Sequence, residues 1–395
     1  EAAEAGREVF IVEKRPYLGG RVAQLNQYFP KLCPPSCGLE INFRRIKENP
    51  RIKFFTMAEV ESISGEEGNF DVAVKLNPRY VNENCTACGD CAEGITTEIP
   101  NDYNYDMDKI KAVYLPHDMA YPMRYVIAPE IIGTDEATKA KEACKYDAVD
   151  LDMQPETVSL KVASVVWATG WNPYDASKIE NLGFGTVPNV ITNVMMERLA
   201  AFDGPTGGKI VRPADGKPVE SVAFVQCAGS RDENYMAFCS HICCLASLKQ
   251  TTYIREQLPN ATVTIFYIDI RALGKYEEFY TKVADDENVT LIKGKVAKVE
   301  ADPASDKILV EAEDIYGGGK SQAKADLVVL ATGMEPSTAV DKVPTDVAYD
   351  ESGFVVSEKP GIYAAGCTRK PLDVATSNRD ATAAALKAIQ STVRR

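Results

Sequence analysis

Short apolar runs ending in glycine or an acidic residue recur along the chain, each followed by a stretch of small or amphipathic residues. Runs of this length bounded by turn residues predict buried strands of a largely parallel sheet. EAAEAG at the start reads as a helix, and Arg7–Glu13 (REVFIVE) as the strand that follows it. Val165–Gly170 (VVWATG) and Leu327–Gly333 (LVVLATG) predict two further strands, both running into Ala-Thr-Gly. Gly361–Cys367 (GIYAAGC) leads into a helical stretch over Asp373–Thr392. A second strand–helix–strand unit is expected at Val219–Cys227, Phe238–Gln257 and Ala261–Asp269, and β-rich hairpins near Met57–Leu76 and Lys293–Glu313. No stretch approaches the roughly 18 uninterrupted apolar residues that a membrane span needs.

A small-residue helix ending in Gly, then an apolar strand ending in Glu13, is the second half of a nucleotide-binding βαβ unit. In that unit a Gly-rich turn precedes the helix, and the acid at the strand end takes a ribose hydroxyl. The first strand and turn are absent, so the sequence is expected to lack about 20–25 residues at its start. The alternative is a parallel strand that happens to end in Glu. Lys14–Arg21 (KRPYLGGR) follows, with Gly19 and Gly20 able to bring backbone close to a pyrophosphate and Arg21 able to neutralise it. The repeated Ala-Thr-Gly strands and the Gly-Ile-Tyr-Ala-Ala-Gly run before the last helix, in this order, predict the fold class. It is α/β, a two-dinucleotide-binding-domain flavoprotein of the disulfide-reductase type. The expected FAD contacts are Glu13, Lys14, Gly19, Gly20, Arg21, Ala168, Thr169, Gly170, Gly333, Gly366, Cys367, Asp373 and Val374. The helix start near Asp373 would favour negative charge on the reduced flavin edge. Cys367 is expected to pack against the flavin without a catalytic role.

In the second unit the turn after the first strand would read Gly-x-Gly-x-x-Gly in a nicotinamide-binding protein. Here it reads Cys227-Ala-Gly-Ser-Arg, so the βαβ frame is expected to persist without its pyrophosphate site. Residues 80–150 interrupt the flavin domain and read as a degenerate ferredoxin-like insert. The expected domains are therefore 1–79 with 151–200 and 320–395 for FAD, 80–150 for the insert, and 201–319 for a pseudo-nicotinamide domain.

The chain has 395 residues and 11 cysteines, many for a sequence without a secretion signal. In a reducing compartment clustered thiols are more often metal ligands or redox centres than disulfides. Cys85-Thr-Ala-Cys88-Gly-Asp-Cys91 has the C-x₂-C-x₂-C spacing of bacterial ferredoxins, in which the fourth cubane ligand is distant. Cys144 stands where that ligand would be, with Lys145 replacing the usual proline. The four make a complete set for one [4Fe–4S] cluster; tetrahedral Zn²⁺ is the rival reading. Cys227, Cys239, Cys243 and Cys244 form a second set, although adjacent cysteines rarely both ligate one cluster. His241 between them reads as a ligand or as a plain hydrogen-bonding residue. Cys33-Pro-Pro-Ser-Cys37 is either a redox dithiol, a source of extra cluster ligands, or an inert pair. The net charge of −13 argues against nucleic acid, which needs a basic surface.

The stretches FVQCAGSRDENYMAFCSHICCLASLKQ, VTIFYIDIRALGKYEEFY and FIVEKRPYLGGRVAQLNQYFP, with the insert and the closing AAGC, resemble the heterodisulfide reductase A-subunit family. Members from methanogens are longer and carry extra ferredoxin modules. In length the chain is more similar to the short single-flavin members found in the quinone-interacting membrane-bound oxidoreductase of sulfate reducers. That resemblance implies FAD, one or two [4Fe–4S] clusters, and an oxidoreductase in the cytoplasm at the inner face of the membrane. It implies as partners a second flavin/iron–sulfur subunit, together with a haem-bearing membrane subunit, and electrons exchanged between menaquinone and adenylylsulfate reductase. Other readings are a soluble heterodisulfide reductase-type subunit, with or without electron bifurcation, an NAD(P)H-dependent disulfide reductase using Cys33 and Cys37, and a scaffold with vestigial sites.

Overall fold

The computed structural model describes residues 1–315 and 318–393; positions 316, 317, 394 and 395 of the expected domains lie outside the described residues. The chain forms two compact units. The first comprises Glu1–Gly170, Asp341–Arg369 and Val374–Arg395, and the second Trp171–Val340 with Lys370–Asp373.

In the first unit Val9–Glu13 pairs in parallel with Ile52–Thr56, in the register Val9↔Ile52 to Glu13↔Thr56. A second parallel pair joins Val165–Trp167 to Ile362–Ala364. Ala58–Glu66, Asn69–Leu76 and Glu156–Val162 make an antiparallel three-stranded sheet. Phe70, Val74, Leu160, Trp167 and Ala364 share one core between these strands. The closing helix runs over Val374–Ser391. EAAEAG is not a regular helix: it makes one turn, with Ala5 N–H on Glu1 carbonyl at 2.9 Å, and ends at Gly6 with φ 85°. One turn closes too few hydrogen bonds to offset the cost of helix nucleation.

The insert is enclosed within this unit. A bridge between Val81 and Val149 ties its two ends together. Inside, Glu98–Pro100 pairs with Lys109–Lys111 and Val113–Tyr114 with Val126–Ile127. Its helices, Asp90–Glu93 and Asp135–Ala143, pack over a small core that includes Ile95, Val113, Ile127 and Ala137.

The second unit is built on a five-stranded, wholly parallel sheet in the order Val190–Thr192, Leu327–Thr332, Ser221–Ala228, Thr262–Tyr267, Val289–Lys293. Asn193–Ala200, Cys243–Gln257 and Tyr276–Ala284 supply its helices. Alternate residues of Ser221–Ala228 enter two separate cores: Val222 and Phe224 with the helices, Ala223 and Val225 with strands such as Ile308–Asp314. A sheet covered on both faces selects unbroken apolar strands, and every residue of Leu327–Ala331 is fully buried. Two expectations are corrected here. Residues 171–200 and 320–340 belong to this unit, because Val190–Thr192 and Leu327–Thr332 hydrogen-bond into its sheet. The central helix begins at Cys243 instead of Phe238, since residues 229–242 fold as a loop.

Candidate redox sites

The first unit carries most of the expected dinucleotide contacts. Glu13 ends its strand, and its carboxylate accepts the Arg15 N–H at 2.8 Å. Burial pushes the Glu13 pKa up, against the backbone N–H groups of Arg15 and Lys14. Lys14 turns to Asp341 at 3.3 Å and Glu59 at 3.7 Å. Gly19 and Gly20 take φ values of 111° and 54° and open a short helical turn, Gly20–Gln24. Left-handed backbone in succession favours glycine and points N–H groups into a shared concavity. A Cβ on Gly20 or Gly170 would meet nothing within 4 Å, so both glycines border open space. Arg21 Nη1 donates to the Tyr105 hydroxyl at 3.3 Å. Ala168 and Thr169 are exposed at the strand end, and Thr169 Oγ1 lies 3.0 Å from Thr368 Oγ1. The Gly366 N–H donates to Asp380 at 2.7 Å, one residue before buried Cys367. An acid at a strand end, left-handed glycines beside open space and a helix starting at Val374 fit a flavin dinucleotide.

Two of the expected contacts belong to the second unit. Asp373 falls in the second unit. Gly333 ends a strand of the second sheet, where a Cβ would lie 2.2 Å from Ser230 Oγ and 2.5 Å from both Met236 Cε and Ser240 Oγ. Packing against the cysteine loop is enough to require glycine there.

Sequence reading missed the cluster that holds the insert to the flavin-type strand. Tyr17 meets His117 edge-on at 4.9 Å, His117 stacks on Tyr103 at 4.6 Å, and Arg15 Nη1 donates to Tyr17 Oη at 2.6 Å. Burial pushes the Tyr17 hydroxyl up to about 12. The Tyr-rich insert and Arg15-Pro-Tyr17 were the available signals, but pairing across some 100 residues is not periodic.

Cys85, Cys88, Cys91 and Cys144 line one pocket in the insert, with Tyr125 and Val149. Ala87 and Gly89, with φ 57° and 92°, curl the loop so that its three cysteines face inward. Cys144 caps the helix Asp135–Ala143, and its sulfur accepts the Ala148 N–H at 3.3 Å. Lys145, in the place of proline, reaches Asp90 at 2.9 Å and ties the fourth cysteine to the loop of the other three. Burial, then the charges of Cys85, Cys144 and Cys88, push the Cys91 thiol up to about 12. Among the described residues no three His, Cys, Asp or Glu side chains converge closely enough to hold one metal ion. Zinc draws its four sulfurs to about 2.3 Å from a single centre; a cubane places its irons between the thiolates and holds them further apart. A pocket lined by four cysteines suits either group.

The second set sits where three strands of the parallel sheet end. Cys227 closes Ser221–Ala228 in a bulged, left-handed conformation with φ 57°. Cys243 and Cys244 begin the helix Cys243–Gln257, whose positive end favours thiolate. Their sulfurs diverge: Cys243 Sγ lies 3.5 Å from the Thr332 carbonyl, and Cys244 Sγ 3.6 Å from the Asp269 carbonyl. Cys239 Sγ accepts the His241 N–H at 3.4 Å, so the backbone of His241 serves the set. Burial raises Cys227 to about 11, with further contributions from Cys244 and Cys239 and opposition from Arg231. Burial raises Cys243 as well, with Cys227, Cys244 and Cys239 adding to it.

The nucleotide features of this second unit are filled by protein. Gly229 is packed under Tyr174, whose ring would lie 2.8 Å from an added Cβ. Asp269 stands just past Thr262–Tyr267, where a nucleotide-binding unit presents its ribose-binding acid. Its carboxylate is taken by Arg231 and, at 3.5 Å, by Arg271. Cys33 and Cys37 are free thiols, half-buried and exposed, with Cys37 in the first turn of Ser36–Glu48. Burial, then Cys33 and Cys37, raise the pKa of Tyr28, whose hydroxyl would lie 2.7 Å from a Cβ on Gly38.

No family model matches the sequence. Two solved thioredoxin reductases share the fold over the chain. That of T. acidophilum has a TM-score of 0.53 at 15% identity, covering 99% of this chain and 93% of its own. That of Lactococcus lactis has a TM-score of 0.54 at 13% identity, covering 100% and 94%. The fold is thus the two-dinucleotide-binding-domain architecture of flavoprotein disulfide reductases. Sequence relatives are nearer. The second iron–sulfur A-subunit of CoB–CoM heterodisulfide reductase from Methanopyrus kandleri is 37% identical over 98% of this chain. The A-subunit of ferredoxin:CoB–CoM heterodisulfide reductase from Methanosarcina mazei is 36% identical over 98%. The chain belongs to the heterodisulfide reductase A-subunit family. It spans 61% and 50% of the length of these two relatives.

Proposed function

We propose that the chain is an electron-transfer subunit of an oxidoreductase complex, holding FAD in its first unit and iron–sulfur clusters in its insert and second unit. The observation that carries this reading is the replacement of the second dinucleotide site by protein. Tyr174 covers Gly229, Arg231 and Arg271 occupy Asp269, and four cysteines gather at the strand ends. A bound flavin exchanges electrons in twos and a cluster in ones, which lets such a subunit join the two kinds of carrier.

The chain's own groups have definite tasks in that role. Glu13 and the Gly19–Gly20 turn hold the dinucleotide, and Arg21 meets its charge. Cys91 is the buried member of the insert quartet, while the Lys145–Asp90 pair holds its distant ligand to the loop of the other three. The family supports a multi-subunit setting. We further propose that the protein works at the cytoplasmic face of the membrane, beside a second flavin/iron–sulfur subunit, together with a haem-bearing membrane subunit. Electrons would pass between the quinone pool and adenylylsulfate reductase.

The nicotinamide-dependent rival makes the opposite prediction. Anaerobic protein mixed with excess NADH or NADPH keeps its oxidised flavin absorbance over minutes, whereas dithionite bleaches it. Stoichiometric bleaching by either nucleotide would overturn the proposal and return Cys33 and Cys37 to a catalytic role.

A further inference from the structure

The loop after Cys227 is shaped to bring one arginine back to that cysteine. Cys227 and Arg231 both have φ 57°, which costs a non-glycine residue energy. The Ser230 N–H donates to the Cys227 carbonyl at 3.1 Å, closing the turn. The Arg231 and Asp232 N–H groups donate to Phe238 and Met236 at 3.1 and 3.0 Å, clamping the loop as a narrow hairpin. Thus held, the Arg231 guanidinium pairs with the Asp269 carboxylate and keeps its charge near the Cys227 sulfur. Asp269 also receives Arg271 Nε at 3.5 Å, and its carbonyl lies 3.6 Å from Cys244 Sγ. The Arg271 backbone N–H faces the Cys244 sulfur. Two arginines and one carboxylate leave a single positive charge beside two of the four cysteines. Binding a metal needs only the cysteines, so this charge has another use.

We propose that Arg231 is a positioning residue that sets the reduction potential of the centre held by Cys227, Cys239, Cys243 and Cys244, with Asp269 as its bracket. The inference rests on the proposed function, in which these cysteines hold an iron–sulfur cluster. When one electron enters, the charge of irons, sulfides and thiolates falls by one, and no proton moves at Arg231, which stays protonated. A fixed positive charge beside the ligand sulfurs stabilises the more negative, reduced state and so raises the potential. Arg271 shares the field but meets the sulfur only through its backbone. Its side chain therefore matters less.

The test is an anaerobic potentiometric titration of the full protein, read by electron paramagnetic resonance, with iron and sulfide counted in every sample. Cys88→Ala serves as the background, so that the insert centre contributes no signal. Arg231→Gln is expected to favour the oxidised cluster at least tenfold, a shift of 59 mV or more to lower potential for a one-electron couple. Arg231→Lys should recover more than half of that shift, and Arg271→Gln should show less than half of it. Unchanged potentials in Arg231→Gln would overturn the inference. So would loss of iron in Arg231→Gln that Arg231→Lys restores without any potential difference, because the arginine would then only retain the cluster. Absence of iron in the Cys88→Ala background itself would instead refute the cluster reading on which the inference stands.

Discussion

Replacing Cys91 with alanine removes the insert's cluster while leaving the rest of the protein folded. Cys91 is the one buried member of its quartet, 7% exposed, and packs among Val81, Ile95 and Val113. Its thiol sits near 12 because burial and three neighbouring sulfurs disfavour a bare thiolate. Only a cation at the centre of the pocket makes deprotonation favourable, so cluster assembly and thiolate formation at Cys91 are a single linked event. With one ligand gone the remaining three cysteines cannot complete the site. Iron and acid-labile sulfide should fall by about half if each set holds one cluster. The second unit keeps its signal, because its cysteines draw on a different sheet and a different core. Anaerobic iron analysis of wild type and Cys91→Ala checks this. Equal iron in the two proteins would show that the insert quartet holds no cluster.

The reverse pattern is expected from Gly333→Ala. The added methyl would stand 2.2 Å from Ser230 Oγ and 2.5 Å from Met236 Cε and Ser240 Oγ. These contacts come from the loop between Cys227 and Cys243, and the strand end cannot yield: the Gly333 carbonyl accepts Tyr174 N–H at 3.0 Å, and Met334 N–H donates to Ser240 at 2.8 Å. Overpacking of this kind costs about 1–3 kcal/mol. Relief comes most readily by displacing the loop and, with it, Cys239. Denaturant unfolding should show the loss of stability, and iron analysis should show loss from the second set with the insert centre intact. Wild-type stability and iron in Gly333→Ala would mean that the loop does not rest on the strand end as described.

The two substitutions also mark what the sequence could and could not reveal. Buried parallel strands write themselves as apolar runs, so Val9–Glu13, Ser221–Ala228 and Thr262–Tyr267 were legible in place, with ends that differ by at most two residues from the expected Arg7–Glu13, Val219–Cys227 and Ala261–Asp269. Cysteine spacing carried the insert quartet, because a tight loop that lines one pocket with three cysteines needs short, regular gaps. Sheet membership was not legible. Leu327–Gly333 has the same pattern as Val165–Gly170, yet it hydrogen-bonds to Ser221–Ala228 about a hundred residues away, and Gly333 follows it into the second unit. Nothing local distinguishes an Ala-Thr-Gly that serves a dinucleotide from one that supports a loop. Arg231 and Asp269 escaped for a related reason: one read as a turn residue and the other as a strand end, and nothing local joined them until the fold set Asp269 just past its strand and Arg231 upon it. The late start of the helix at Cys243 likewise reflects hydrogen bonds inside residues 229–242 that no helical periodicity encodes.

Anomalous diffraction at the iron edge, from crystals grown and frozen without oxygen, tests the replacement of the second dinucleotide by metal most directly. The account requires iron density bounded by Cys227, Cys239, Cys243 and Cys244, with protein side chains filling the ribose position at Asp269. Bare sulfurs in that set, or an adenine nucleotide lying along the ends of the five-stranded sheet, would contradict it.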